Sequence, residues 1–497
     1  MTNVAIAANP TSATTGPTDV TSICEAIEAT VSSVSQVYHY GPEYDNDIFH
    51  WASSSTQHAA CSFDPATPED VGIAVGSSQG STARGLTEPS QLQILGDNRC
   101  PFAVKGGGHA TNPGFSSTTG VQIAMTKFSE VTYDPQTQTA IIGAGLVWDD
   151  VYAALEEYGV TVAGGRFTGV GVAGLTLGGG YSWITNQHGL TIDTVQAYEL
   201  VSPNGEVVNV TESSDPDLFF ALKGGYNNFG IVTRFTLKTF SQAQVWGGTI
   251  FYPWTVVDQV TIATANFSAN STDPKAQVIV LYNYGAELVP FISAMLFYDG
   301  PTPSPGIFDP FLVIPSLSKD ISTRSLVSLV RSFPSNVTEG QRGVFNTIST
   351  SGYSVELLQE FASEALYWGT QLSPFSGVLF SYIVEPFLPT IFSHNATPSA
   401  YPGSRERGLF PLAIYFGWML PSSDELMRNA TRMSAAKLSE KAISLGDSIP
   451  DAPLYNNYAI SDTPLERMYG DNLQRLRSIK QEVDPNNVMG LAGGFKF

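Results

Sequence analysis

Short apolar runs separated by glycine, proline and small polar residues fill the first half of the chain, and their spacing predicts strands and helices in alternation. Thr67-Pro68-Glu69-Asp70 predicts a helix start, with a capping hydroxyl, a proline in the first turn and acids near the positive end of the dipole. Residues 101–105 predict a strand that runs into Gly106-Gly107-Gly108-His109. Residues 139–143 predict another, ahead of a helix in which Trp148, Val151, Tyr152, Leu155 and Tyr158 recur at helical spacing until Gly159 stops it. Around Pro203-Asn204-Gly205 a hairpin is expected, with arms 198–201 and 206–210, because such a turn needs positive φ. A short helix over 215–223, closed by Gly224-Gly225, precedes the strand FGIVTRFTLKTF.

Beyond about residue 242 the texture changes. VWGGTIFYPW, QVIVLYNY, FISAMLFY and LAIYFGWM are rich in aromatic and β-branched residues and predict strands of an antiparallel sheet, with helices between them. The clearest helix covers Asp424–Leu445, capped by Ser422 or Ser423 and ended by Gly446. Leu465, Met468, Leu473, Leu476, Ile479 and Val483 form one apolar stripe, which predicts an amphipathic helical tail over 464–483.

A chain of 497 residues exceeds one compact core and suggests two or three domains, closely packed because no repeat or low-complexity linker separates them. Hydrophobic residues make up 42% and charged ones only 14%, which excludes disordered and coiled-coil classes. The net charge of −21 repels phosphate backbones and acidic membrane faces, so neither nucleic acid nor membrane is an expected partner. No apolar run reaches the ~18 residues of a membrane-spanning helix. The opening residues lack a basic start and an apolar core, so they make a poor signal peptide, and six N-x-[ST] sequons argue only weakly for secretion. The compartment stays open, as does the oligomeric state. Without CxxC, HxH or HExxH spacing no metal site is expected; one disulfide is conceivable among Cys24, Cys61 and Cys100.

Glycine changes the picture. Seventeen of the 46 glycines fall within residues 106–189, where even spreading would put about eight, and such clustering suits backbone lying close against a ligand. Gly169-Val-Gly171-Val-Ala-Gly174 is formally GxGxxG, but a Rossmann helix starting there would contain Gly178-Gly179-Gly180, at a cost of about 1 kcal/mol each. A nicotinamide fold is therefore rejected. Gly106-Gly107-Gly108-His109 is more informative, because three glycines after a strand let main-chain N–H groups face a pyrophosphate.

The segments FAVKGGGHA, GAGLVWDDV, GGRFTGVGVAGLTLGGGYSWITNQHGLTID, ELVSPNGEVV, DLFFALKGGYNNFGIVTRF and LYNNYA…YGDNLQRLRSIKQEVDPNNVM occur in that order. Together they resemble the FAD-linked oxidases with a PCMH-type (p-cresol methylhydroxylase-like) flavin domain, within the berberine-bridge-enzyme-like group. The resemblance is dense over residues 57–242 and again over 454–490. It implies an α+β fold: an FAD-binding domain of two α+β subdomains, plus a substrate domain whose antiparallel β-sheet is flanked by helices. The expected division is an N-terminal segment 1–56, the FAD domain 57–242, the substrate domain 243–453 and a C-terminal return 454–497.

The resemblance also implies that His109 is bonded covalently to the flavin. Many relatives carry a second, cysteinyl link three residues before the valine of VG[IV]xG; Phe167 stands there, so a single covalent bond is expected. Lys105, Gly106, Gly107, Gly108 and His109, followed by Ala110, Thr111 and Asn112, should wrap the pyrophosphate. Gly171, Gly174, Gly178, Gly179 and Gly180 are expected against the cofactor, and Gly230, Ile231 and Val232 at its adenine or ring edge. In Tyr455-Asn456-Asn457-Tyr458, which resembles the family's YxNY element, Asn457 would support the flavin or the sheet. Tyr458 matches the catalytic base of several members. Arg166 could neutralise a phosphate, and His188 caps or packs. The implied activity is hydride transfer from a small apolar or aromatic metabolite to FAD, with O2 reoxidising it to give H2O2, in a secondary-metabolite pathway. The alternatives are an FAD-containing cyclase or isomerase and an extracellular carbohydrate oxidase.

Overall fold

The computed structural model describes residues 19–76, 94–285, 289–333 and 335–497; the opening stretch read for a signal peptide lies outside them. Two small sheets, with a two-stranded pair of Val160–Thr161 and Phe240–Ser241 beside them in sequence, build the first half. The first holds β1 (Gln36–Tyr38), β2 (Cys61–Asp64), β3 (Phe102–Lys105) and β4 (Val121–Ala124) in the order β1-β2-β4-β3, with β4 parallel to both its neighbours. The second is wholly antiparallel: β5 (Val131–Asp134), β6 (Thr139–Gly143), β7 (Val195–Val201), β8 (Val207–Val210) and β9 (Ile231–Lys238), in the order β5-β6-β9-β7-β8.

The expected local signals are present. Thr67 Oγ1 accepts the Asp70 N–H at 3.1 Å and caps Pro68–Val75. Asp215 caps Pro216–Leu222 through the Leu218 N–H, and Gly205 turns the hairpin at φ +84°. A helix does open at the GxGxxG loop, but Val172–Leu177 is only six residues long and ends at Gly178. Cys24 and Cys61 form a disulfide, and Cys100 is free and buried.

A seven-stranded antiparallel sheet forms the second half: β10 (Val245–Pro253), β11 (Ala276–Gly285), β12 (Val289–Tyr298), β13 (Ser318–Arg324), β14 (Arg342–Thr350), β15 (Gly377–Val384) and β16 (Phe410–Trp418), in the order β13-β10-β12-β11-β15-β16-β14. Period-two alternation splits its side chains. Val278, Val280, Tyr282, Phe380, Tyr382, Ile414 and Phe416 pack in a core shared with the helices Val257–Asn270, Val355–Leu372 and Asp424–Leu445. Leu281, Asn283, Ser293, Ser381, Ile383 and Tyr415 turn the other way, into a cavity.

Two expectations are corrected. Ser423 stands before Asp424–Leu445, but its hydroxyl donates to Phe375 O (2.7 Å) rather than capping. The tail is two helices, Leu465–Tyr469 and Asn472–Val483, because Gly470 at φ +48° turns the chain between them. Both pack in the core of the first half, as does Leu326–Arg331 from the middle of the chain. His188 packs, as expected: its ring stacks on Phe240 at 3.7 Å, and burial pushes its pKa down to about 4. Below the unfolded value of about 6.5 the unfolded chain takes up a proton that folded His188 refuses, so this group lowers stability as pH falls from 6.5 towards 4. Urea midpoints at pH 7.5 and 5 should therefore differ less in His188→Phe than in the wild type.

Candidate active site

The loop after β3 is held by glycine contacts. A Cβ on Gly107 would lie 2.5 Å from Gly171 Cα, and one on Gly171 would lie 2.6 Å from Gly107 N, so the two loops touch backbone to backbone. Gly106, Gly107, Gly108, His109, Ala110, Thr111, Asn112, Gly171, Gly174, Ile231 and Val232 line one side of a cavity of about 1010 Å³, at the upper end of the usual range for ligand sites. The main-chain N–H groups from Gly107 to Thr111 make no hydrogen bond with the described residues. A row of such donors on a stretch of main chain that carries no side chains from Gly106 to Gly108 suits a pyrophosphate, so this wall fits FAD. Beyond the loop, Thr111 Oγ1 accepts the Phe345 N–H (3.2 Å) and Asn112 Nδ2 donates to Ala459 O (2.9 Å), tying the loop to β14 and to the C-terminal return.

Five expected contacts lie elsewhere. Lys105 is buried beneath the loop, and its Nζ donates to Asn46 O at 3.0 Å. Gly178, Gly179 and Gly180 do not line the cavity; a Cβ at each would strike Asn457, Tyr401 and Thr191 respectively, at 2.3, 2.8 and 2.2 Å. Gly230 likewise faces Val201 O, 2.4 Å from its Cβ position. These glycines admit neighbouring protein atoms, the same steric need that a ligand would impose.

The opposite wall is the sheet face. Three of its polar side chains are bonded to one another: Ser381 Oγ donates to Asn283 Oδ1 (2.7 Å), and Asn283 Nδ2 to Ser293 Oγ (3.2 Å). The rest is Leu281, Ile383, Leu379, Phe291 and Phe251, with Phe167 packed edge-on against Phe333 at 5.3 Å.

Between the walls stands Tyr458, stacked on Phe345 at 5.8 Å. Its hydroxyl donates to Glu385 Oε1 (3.1 Å), which also takes Arg166 Nη2 at 2.7 Å; Arg166 Nη2 lies 3.3 Å from the Tyr458 oxygen. Arg166 therefore meets a carboxylate and a phenol, not a phosphate. Burial raises the pKa of Glu385, against the pull of Arg166. Burial, then the Glu385 charge, hold the Tyr458 phenol well above its usual 10. Arg166 Nη1 and Glu385 Oε2 are buried without partners among the described residues, so the bridge is incompletely satisfied, as functional sites tolerate. Asn457 lines the cavity and is braced there: Nδ2 donates to Leu175 O (3.2 Å) and Tyr455 Oη (2.8 Å), and Oδ1 accepts from Tyr226 Oη (2.8 Å). Sequence reasoning missed Glu385 and Trp51. The indole of Trp51 stacks on the His109 ring at 4.5 Å and 14°.

The FAD binding domain family model matches residues 90–211, and the berberine and berberine-like model matches 454–492. An uncharacterized FAD-linked oxidoreductase of Arthroderma benhamiae is 32% identical over 417 residues, 80% of this chain and 82% of that protein. The chain belongs to the FAD-linked oxidoreductases with a berberine-like C-terminal segment. As an FAD-linked oxidoreductase it is an enzyme, and FAD is its cofactor. Another family member, the FAD-dependent monooxygenase drtC of Aspergillus calidoustus, is 31% identical over 467 residues, 90% of this chain and 84% of that one. Two solved structures share the fold of this oxidoreductase. They are 6-hydroxy-D-nicotine oxidase from Arthrobacter nicotinovorans (TM-score 0.74, 18% identity, 93% of this chain and 98% of that one) and glucooligosaccharide oxidase from Acremonium strictum (0.73, 18%, 94% and 97%). The latter carries a 6-S-cysteinyl, 8α-N1-histidyl FAD. No helix among the described residues is long and apolar enough to cross a membrane.

Proposed function

We propose that this oxidoreductase is an oxidase for a small apolar or aromatic metabolite of a secondary-metabolite pathway, with O2 as second substrate, H2O2 as product, and FAD held through one covalent bond to His109. The observation that carries the reading is Tyr458, set between a glycine wall that fits a dinucleotide and an apolar sheet face. FAD supplies the two-electron acceptor for the substrate's hydride.

The remaining work falls to the chain. Gly107 to Thr111 offer N–H groups to the pyrophosphate, and Ile231 and Val232 pack beside it. Leu281, Ile383 and Phe291 exclude water and select an apolar substrate, since Asn283, Ser293 and Ser381 already bond to one another. Tyr458 takes the substrate proton while passing its own to Glu385, whose raised pKa suits it to receive one. Arg166 compensates the carboxylate before transfer. Phe167 fills the place where bicovalent relatives have cysteine, which supports a single bond and counts against a carbohydrate oxidase.

Apolar aromatic metabolites added anaerobically should bleach the flavin, and air should then restore the colour with one peroxide per turnover. Product formed without bleaching would instead identify a cyclase, and bleaching by oligosaccharides alone a carbohydrate oxidase. Acid-precipitated wild type should keep its yellow colour, and His109→Ala should release all its flavin.

A further inference from the structure

The stretch from Asn46 to Ser55, in the N-terminal segment, runs directly beneath the loop that carries His109. Asn46 O receives Lys105 Nζ; the Trp51 N–H donates to Gly108 O at 3.0 Å; Ser55 Oγ donates to Ala110 O at 2.7 Å. From the other side the Gly340 N–H donates to Trp51 O at 2.9 Å. Trp51 is thus fixed at both main-chain groups, one of them bonded to the residue before His109.

Its side chain is fixed as well. The indole lies almost parallel to the His109 imidazole, and its surroundings are aromatic: Phe345 at 6.3 Å and 20°, Tyr415 at 5.5 Å. A ring covered on one face cannot turn about its Cβ–Cγ bond without losing that contact. The ring's edge, where both nitrogens lie, stays clear of that stacked contact. Burial also lowers the imidazole pKa to about 4, so at neutral pH it carries the lone pair a nucleophile needs.

We propose that Trp51 is a positioning residue for His109, holding the imidazole in the one orientation from which a ring nitrogen attacks FAD. The inference rests on the reading that His109 carries the flavin. In that attachment a C–N bond forms between the imidazole nitrogen and the flavin methyl carbon. One methyl C–H and the imidazole N–H lose their protons, and the two electrons released reduce the flavin, which O2 reoxidises to give H2O2.

The test compares full-length wild type, Trp51→Leu, which keeps apolar bulk, and Trp51→Phe, which keeps an aromatic face. FAD is added to protein produced under flavin limitation. Total bound FAD, the melting temperature and the acid-stable fraction are then followed with time. Trp51→Leu should bind FAD yet attach it about tenfold more slowly, a loss of the size that a mispositioned reacting group produces, while Trp51→Phe should stay within about threefold of wild type. Equal attachment rates in all three proteins would overturn the role of Trp51 alone. So would a Trp51→Phe rate as slow as that of Trp51→Leu. A wild type that releases all its flavin in acid would overturn the His109 reading itself, and the inference with it.

Discussion

Tyr458→Phe should slow anaerobic flavin reduction by about 10²- to 10⁴-fold, the usual worth of a positioned general base. The ring would stay stacked on Phe345, so folding and flavin content should be unchanged and the loss would fall on kcat. The phenol is held protonated by burial and by Glu385, and it can accept a proton only by giving one up. Its hydroxyl already points at the acceptor, Glu385 Oε1. Glu385→Gln should therefore show a loss of similar size, because an amide oxygen is a far poorer proton acceptor. In the wild type the rate should fall on the acid side as Glu385, whose pKa is raised, becomes protonated and can no longer receive. Stopped-flow absorbance reads all three effects; a Tyr458→Phe rate within about threefold of wild type would remove the tyrosine from the chemistry.

Arg166→Ala should be the most destabilising single change at the site, by about 3–5 kcal/mol, because it strands the Glu385 carboxylate in the interior. Both side chains are almost fully buried, at 3% and 0% exposure, so water cannot take over from the lost partner. The guanidinium also lies 5.4 Å above the Phe387 ring, and that contact would go too. Replacing both partners, as Arg166→Met with Glu385→Leu, should recover much of the loss, since the larger part of it is the cost of an unpaired buried charge. Urea midpoints of the two single variants and the double close the cycle; strictly additive losses would mean the pair is not coupled.

What the sequence disclosed was whatever one short stretch encodes. The glycine loop, the hairpin at Gly205 and the tyrosine of the C-terminal element each announce themselves within a few neighbours. Glu385 does not: it follows an apolar strand and reads as an edge charge, and its partner Arg166 lies 219 positions away. Trp51 was hidden for a related reason, since nothing in NDIFHWASSS says which ring it will face. Gly178 to Gly180 misled because glycine signals close approach without saying what approaches; here it is Asn457, Tyr401 and Thr191. Four strands of the sheet, β10, β11, β12 and β16, were legible one by one; β14 and β15 were not singled out, and the edge strand β13, SKDISTR, is too polar to stand out.

The tie between Asn112 and Ala459 spans 347 positions, and its neighbour Thr111 reaches Phe345. During synthesis the glycine loop leaves the ribosome long before either partner exists. Its bracing is complete only when the last tenth of the chain arrives.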